Sequence, residues 1–387
     1  MKMSLEKLKA PAVLALVVVS ITSLAQAKDW QPVELPTKAR IAALAPIDYG
    51  PWDNVLGSSV LTLGRSTHIA ASPSQNDTAT LIKLGNTSKS RFEGNRIALH
   101  KFKKQHKRII ANIRDDLLAL PDKVNFSTLS PTQQLAYWFN LHNSIVLSKV
   151  TSVYPTTKIG RYFSAEKENS FFYARDFRWQ DKQISLADIQ HHVLKNWKNP
   201  IVIYGFYLGA IGTPNIQQFA YTGANVRDLL LESAEDFVNS VRGTRVPRKG
   251  KLRVSSYYKS VALAFPDFKT DLLKHIRQFS TGRLRARMDT VTGLKVNISD
   301  WHIADLFNGR HTKAGQIYAP KNSMFAPGDP RSPDNQSRLL RQVDLLLKER
   351  KKRIPNQTPI VSVDEIVTDQ KKTEKKAPKD TKKGKKR

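Results

Sequence analysis

His191, Asp188 and Thr213 are residues of this chain whose types could form a hydrolytic or group-transfer centre. A hydroxyl nucleophile needs a base within hydrogen-bond reach, and the base needs a group to orient it. On that reading His191 is the base, Asp188 or Asp300 its orienter, and Thr213 the hydroxyl of a tight loop from Gly209 to Pro214. The same residues support a structural reading. Asp188 stands three residues after Ser185, where it completes an acidic variant of a capping box on its own helix. His191 then holds helix to loop as a buried, hydrogen-bonded group. An internal threonine is a poor nucleophile without dedicated activation. Cysteine is absent, which excludes a thiolate nucleophile, a disulfide and a thiolate zinc site. The nine histidines show no metal-ligand spacing of the HExxH type, so neither a metal nor another cofactor is expected.

The element that must position these groups runs from Ser130 to Pro155. Ser130 reads as an N-cap, Pro131 as the first helical residue and Gln133 as the partner of a capping box. Leu135, Trp138, Phe139, Ile145 and Val146 recur at the helical period and predict one buried face. Asn140 and Asn143 lie three apart beside that face, and buried amides need partners. The restricted residue before Pro155 predicts the end of the helix.

Around it, the pattern predicts a basic amphipathic helix over 91–120, apolar at Leu99, Phe102, Ile109, Ile110, Ile113, Leu117 and Leu118, and closed by Pro121. Its basic side carries Lys101, Lys103, Lys104, Lys107 and Arg108. Phe171 to Leu186 reads as a hairpin turning at Asp181-Lys182, followed by a helix capped by Ser185. The apolar run from Pro200 to Tyr207 reads as a buried strand that breaks into the Gly209–Pro214 loop. Loops at strand ends are common places for sites. Further helices are expected over 222–241, 255–265, 270–279 and 337–353, with a basic loop over 242–253. No helix is expected over 28–70, where proline-containing loops dominate.

Compartment and charge point outward. Lys2, Lys7 and Lys9, the apolar run Ala12 to Ser20 and the small-x-small site Ala25-Gln26-Ala27 make a secretory signal peptide with cleavage expected after Ala27. No later stretch has the length of a membrane span. A periplasmic or secreted protein is expected. The 387 residues carry 63 basic and 33 acidic side chains, a net charge of +30. Such a balance favours a polyanionic partner, here an envelope component, since no nucleic-acid-binding signature is present. The last stretch, 370–387, has ten Lys or Arg against Glu374 and Asp380 and almost nothing apolar, so a disordered basic tail is expected.

Four pieces occur in a telling order: LAYWFNLHNSIVL at 135–147, SLADIQHHVL at 185–194, IVIYGFYLGAIGTP at 201–214 and YTGANVRDLLLESAEDFVNS at 221–240. A Ser-Tyr helix start at Ser255 and the Asp300-Trp301 pair follow. Together they resemble the domain of unknown function (DUF) 547 family over about 91–309. The family pattern carries Cys-Gly-Ser-x-Ser-Cys-Pro after a strand. Here the cysteine positions are Leu208 and Thr213, while Gly209 and Pro214 remain. The family's Glu-His pair stands as Gln190-His191.

The resemblance implies a helix-rich α+β domain over 91–310 with a small sheet. A signal peptide (1–27) and an N-terminal extension (28–90) precede it. A C-terminal loop and helix (311–353) and the Lys-rich tail (354–387) follow. The signal segment, the lost family cysteines and the basic charge together lead to the expectation of an exported, non-catalytic binding protein of the cell envelope with a cleft lined by Asn140, Asn143, His191, Gly209, Thr213 and Trp301. The alternative is a divergent hydrolase or transferase using His191.

Overall fold

The computed structural model describes residues 47–72, 86–163, 170–246, 250–309 and 333–356. The signal segment, the loop over 311–332 and the basic tail over 357–387 lie outside the described residues. Helix α1 (Gly50–Ser59) leads into the short strand β1 (Val60–Leu61), which pairs antiparallel with β2 (Arg96–Ile97). Helices α2 (Lys104–Lys123) and α3 (Pro131–Val153) follow, then the hairpin β3 (Phe177–Trp179) and β4 (Lys182–Ile184). Next come α4 (Leu186–Asn196), α5 (Val226–Val238), β5 (Thr244–Arg245) and β6 (Gly250–Ser255). Three helices, α6 (Tyr257–Ser260), α7 (Phe268–Phe279) and α8 (Gly282–Arg285), cross over to β7 (Val291–Ile298). Helix α9 (Pro333–Arg353) is the last described element. The protein is thus helix-rich with small sheets. The largest has the order β5-β6-β7, with β5 antiparallel and β7 parallel to β6.

Helix α3 is the centre. Its capping box forms as the sequence requires: Ser130 Oγ accepts from the Gln133 amide at 3.2 Å, and Gln133 Oε1 accepts from the Ser130 amide at 2.9 Å. The expectation of one buried face is corrected: every residue from Gln134 to Leu147 is buried. A helix wrapped on all sides keeps no solvent stripe, and its polar positions then need internal partners. Each large side chain buried here, Trp138 and Phe139 among them, contributes roughly 1.5–3 kcal/mol of transfer free energy.

Other expectations meet tertiary overrides. The basic helix begins at Lys104, not Arg91, because Ile97 pairs with Val60 and exchanges further bonds with Ala304 and Leu306. Ile109 is exposed; the buried stripe is Ile110, Ile113, Leu117 and Leu118. Pro121 lies inside α2, which runs on to Lys123. Proline cannot bond the carbonyl four residues back, and that carbonyl, Leu117 O, accepts instead from Tyr137 Oη at 2.8 Å. Tyr137 Oη in turn accepts from Trp179 Nε1 at 2.8 Å, so one hydroxyl joins α2, α3 and the hairpin.

The run from Pro200 is not a strand. Residues Pro200–Gly205 form a buried 3₁₀ helix. Asn199 caps its start by accepting from the Ile201 amide, and Tyr257 Oη donates to Ile203 O. A short apolar run cannot by itself distinguish strand from buried helix. Helix α1 was not expected. Its signal is Pro51 in the first turn behind Asp48, whose carboxylate accepts from the Gly50 amide at 2.8 Å. Trp52 and Leu56 of α1 belong to the main core. Helix α5 starts at Val226 rather than Thr222, with Thr222 and Asn225 exchanging side-chain-to-amide bonds just before it. Val343 and Leu346 of α9 pack with Leu61, Leu63 and Phe307 in a satellite cluster.

Candidate functional site

The Gly209–Pro214 loop is buried throughout. Gly209 has φ +77°, a left-handed conformation that glycine adopts without strain, and a Cβ there would lie 2.7 Å from Val150 of α3. At Gly212 a Cβ would come within 2.6 Å of Asp300 O, so the strand end around Asp300 can lie directly on the loop. The backbone bonds fix that approach: Ile211 N donates to His302 O, Gly212 N to Asp300 O, and Ala304 N to Gly209 O. Thr213, 3% exposed, donates its hydroxyl to Ala210 O at 2.9 Å. Ser255 Oγ donates to Gly212 O at 2.9 Å.

Arg242, 1% exposed, closes the loop from the far side. Its Nη1 donates to Ile211 O and Thr213 O, and its Nη2 pairs with Asp236. Asp236 also accepts from Ser66 N and Asn215 Nδ2, each at 2.9 Å. The buried Glu93 carboxylate accepts from the Val241 and Arg242 amides, each at 3.0 Å. Burial pushes Glu93 up to about 7, against the pull of the Val241 amide and the Arg242 charge.

Two asparagines of α3 fasten the chain on either side. Asn143 Nδ2 donates to Gly205 O at 3.0 Å, and its Oδ1 accepts from Tyr207 N at 3.1 Å. Because that oxygen only accepts, the contact at 3.0 Å makes His142 Nδ1 the donor. Burial pushes His142 down to about 4, against the opposing hydrogen bond to Asn143. Asn140 holds both backbone groups of one residue, donating to Tyr221 O at 2.7 Å and accepting from Tyr221 N at 2.9 Å. Each amide thus completes the bonding of a chain segment that has no sheet neighbour to supply partners.

The Asp300 region gathers a second set. Asp300 Oδ2 accepts from Ser88 Oγ at 2.5 Å and Ser90 Oγ at 2.6 Å, and Oδ1 meets His302 Nδ1 at 2.7 Å. Burial raises the Asp300 pKa, but the bonds from His302, Ser88 and Ser90 outweigh it and hold the carboxylate well below its usual range. The His302 side chain is 24% exposed. Asp305 is the opposite case. Burial wins there, pushing it up to about 6 although the Gly309, Phe307 and Leu99 amides donate to it.

Of the residues singled out by sequence, Asn143, Gly209 and Thr213 gather around the loop, and Asp300 joins them. Asn140 serves the neighbouring Tyr221 segment. Trp301 packs beside Phe163, with ring centroids 5.5 Å apart, and over Gly160. Asp188 completes its capping box and binds Arg175, with Ser185 N to Oδ2 at 2.9 Å and Arg175 Nε to Oδ2 at 3.1 Å. His191 lies half-buried on α4, and the structure makes no hydrogen bond between it and Thr213. Sequence reasoning missed Arg242, Glu93, Asp236, Ser88, Ser90 and His302. The Asp-x-His spacing of Asp300 and His302 was a usable signal. Arg242 stood inside a run of basic residues with nothing to mark it. No group of three or more histidines, cysteines or carboxylates among the described residues could hold a metal ion. Among those residues, too, no helix is long and apolar enough to cross a membrane.

Residues 126–238 match the family model described as "Protein of unknown function, DUF547". That span holds α3, both asparagine clamps, the loop and α5. Comparison with curated proteins and with solved structures finds no match.

Proposed function

Through residues 126–238 the chain belongs to the DUF547 family, and from that premise we propose an exported binding protein of the cell envelope, non-catalytic at the family loop, that holds a polyanion on its basic surface. The observation that carries this reading is the closure of the loop. The Thr213 hydroxyl and every carbonyl from Gly209 to Thr213 accept or donate inside the fold. A nucleophile whose proton is already donated to a buried carbonyl has no base to receive it and no open face for substrate. The net charge of +30 supplies the attraction for a polyanion.

Titration of the chain from Lys28 onward with isolated envelope polymer across a salt series tests the binding. Expected is saturable binding that weakens steeply with salt. Absence of binding at low salt overturns the reading. N-terminal sequencing of the exported protein tests the compartment, with Lys28 the expected first residue and an uncleaved cytoplasmic chain the contrary result.

A second reading rests on a different histidine from the one singled out by sequence. Asp300 orients His302 through Nδ1 while part of the ring meets solvent, which is the arrangement of a general base. Turnover of an ester or amide panel that disappears in His302→Ala, with stability retained, would favour this reading over a pure binding role.

A further inference from the structure

The three-stranded sheet turns two unlike faces outward and inward. Leu252 and Val254 of β6 are fully buried, and Leu294 and Val296 of β7 pack on the core. Alternation therefore sends Lys251 and Arg253 of β6, and Lys295 and Asn297 of β7, to the other face, where all four are exposed. The register is specific. Arg245 of β5 lies opposite Arg253, and Arg253 is level with Lys295, so three cations form one row straight across the strands. Neighbouring strands lie about 4.8 Å apart, so the row repeats its charge at that interval. Lys251 flanks the row beside Gly293, which offers no side chain to cover it.

Like charges placed directly opposite each other on a sheet destabilise it, so this row is a cost to the free protein. Burial and the neighbouring Arg253 both push Arg245 below its ordinary range. Among the described residues no ion pair relieves Lys251, Arg253 or Lys295. Both guanidinium groups are nonetheless oriented. Arg253 Nε donates to Asn297 Oδ1 and Arg245 Nε to Val241 O, each at 2.8 Å. Each bond fixes the plane of the group and leaves the terminal nitrogens as a fork, the geometry that grips a phosphate with two parallel bonds. The surface continues past β5, where Arg287, Arg245 and Arg283 all act on His68, which sits on Thr244 O at 3.0 Å.

The basic side of α2 is a weaker rival. Lys107 is spent on Thr151 O, and Arg114 pairs with Asp115. The sheet face has no aromatic side chain on which bases could stack, so it suits a backbone and not a base sequence.

We infer that the β5-β6-β7 face, through Arg245, Lys251, Arg253 and Lys295, binds the backbone of a linear phosphodiester polymer without reading its units. This rests on the polyanion-binding reading and gives it a place and a chemistry.

The test uses the full chain from Lys28 and two soluble probes, mixed-sequence duplex DNA and poly(glycerol phosphate). The triple variant Lys251→Gln, Arg253→Gln, Lys295→Gln is compared with Lys104→Gln, Arg108→Gln, Lys123→Gln on α2, which removes the same charge. Three lost phosphate contacts should lower the salt slope on duplex DNA by about 2.7, and affinity at about 0.15 M salt by roughly 100-fold. The α2 variant should stay within about threefold of the parent. A charge-keeping variant, Lys251→Arg, Arg253→Lys, Lys295→Arg, should retain most of the affinity and shows that the sheet tolerates change.

An equal or larger loss in the α2 variant overturns the assignment. So does binding that vanishes on deletion of 370–387 and ignores the sheet. Tighter binding to a polyuronate of matched charge than to either phosphodiester probe overturns the ligand class. Binding confined to one of the two probes overturns the claim that the shared phosphodiester backbone alone is recognised. Failure of the parent chain to bind any polyanion sinks the broader functional reading, whereas failure of the sheet variant alone to respond sinks only this site.

Discussion

Asn143→Ala removes the clamp that fixes the approach to the buried loop. Asn143 is buried and satisfies Gly205 O at 3.0 Å and Tyr207 N at 3.1 Å. Alanine leaves both backbone groups without their side-chain partner. The amide of Tyr207 and the carbonyl of Gly205 then each carry a desolvation cost of about 1–3 kcal/mol, so the variant should lose roughly 2–6 kcal/mol. That is a large share of a typical domain stability of about 5–15 kcal/mol. Equilibrium urea unfolding, followed by far-ultraviolet circular dichroism and tryptophan fluorescence, measures the loss. Hydrogen exchange locates it: the Tyr207 amide should lose protection while Tyr221, held by Asn140, keeps it. Asn143→Asp sharpens the argument. Its carboxylate can still accept from Tyr207 N but sets an oxygen against Gly205 O, so the cost should match or exceed that of alanine. A loss below about 1 kcal/mol with unchanged exchange at Tyr207 would refute the clamp and the reasoning that a buried helix serves a strandless segment through its amides.

Arg242→Met should cost about 3–5 kcal/mol by leaving Asp236 buried and unpaired, and Arg242→Met with Asp236→Asn should recover part of it, as a double-mutant cycle in urea would measure. Glu93 predicts a pH dependence. Its folded value of about 7 lies above the ordinary 4.5, so the native state binds more protons between those limits. Its contribution is therefore present below about pH 4.5 and lost as pH rises through 7, by roughly 3 kcal/mol in all. Urea midpoints at pH 5 and pH 8 should differ less in Glu93→Gln than in the parent, where Asp305, at about 6, adds to the same trend. Gly205→Ala would set a Cβ 2.3 Å from the Phe139 ring, and overpacking of that kind should lower stability by about 1–3 kcal/mol, read from the same unfolding curves.

Local chemistry made much of this architecture legible. The capping boxes of Ser130 with Gln133 and Ser185 with Asp188 involve residues three apart, so the sequence alone specifies where α3 and α4 begin. The hairpin and the family segment were readable for the same reason, although the hairpin turns at Gln180-Asp181, one residue before the expected Asp181-Lys182, with Lys182 already paired to Trp179. Where a partner lies far along the chain, the sequence was silent. Pro121 can stay inside α2 because a hydroxyl sixteen residues later, Tyr137 Oη, takes the carbonyl it abandons. The apolar run from Pro200 becomes a 3₁₀ helix because Tyr257 meets its carbonyl and Asn143 takes the bonds a neighbouring strand would have made. Arg242 and Arg245 stand three apart in one basic stretch, yet one is sealed in the core and the other belongs to a charged face. Composition determined that this protein carries a large positive charge and can use no thiol. Only the tertiary structure decided which cations are spent internally on carbonyls and carboxylates and which are left in a row across a sheet, because burial and register come from contacts between distant residues.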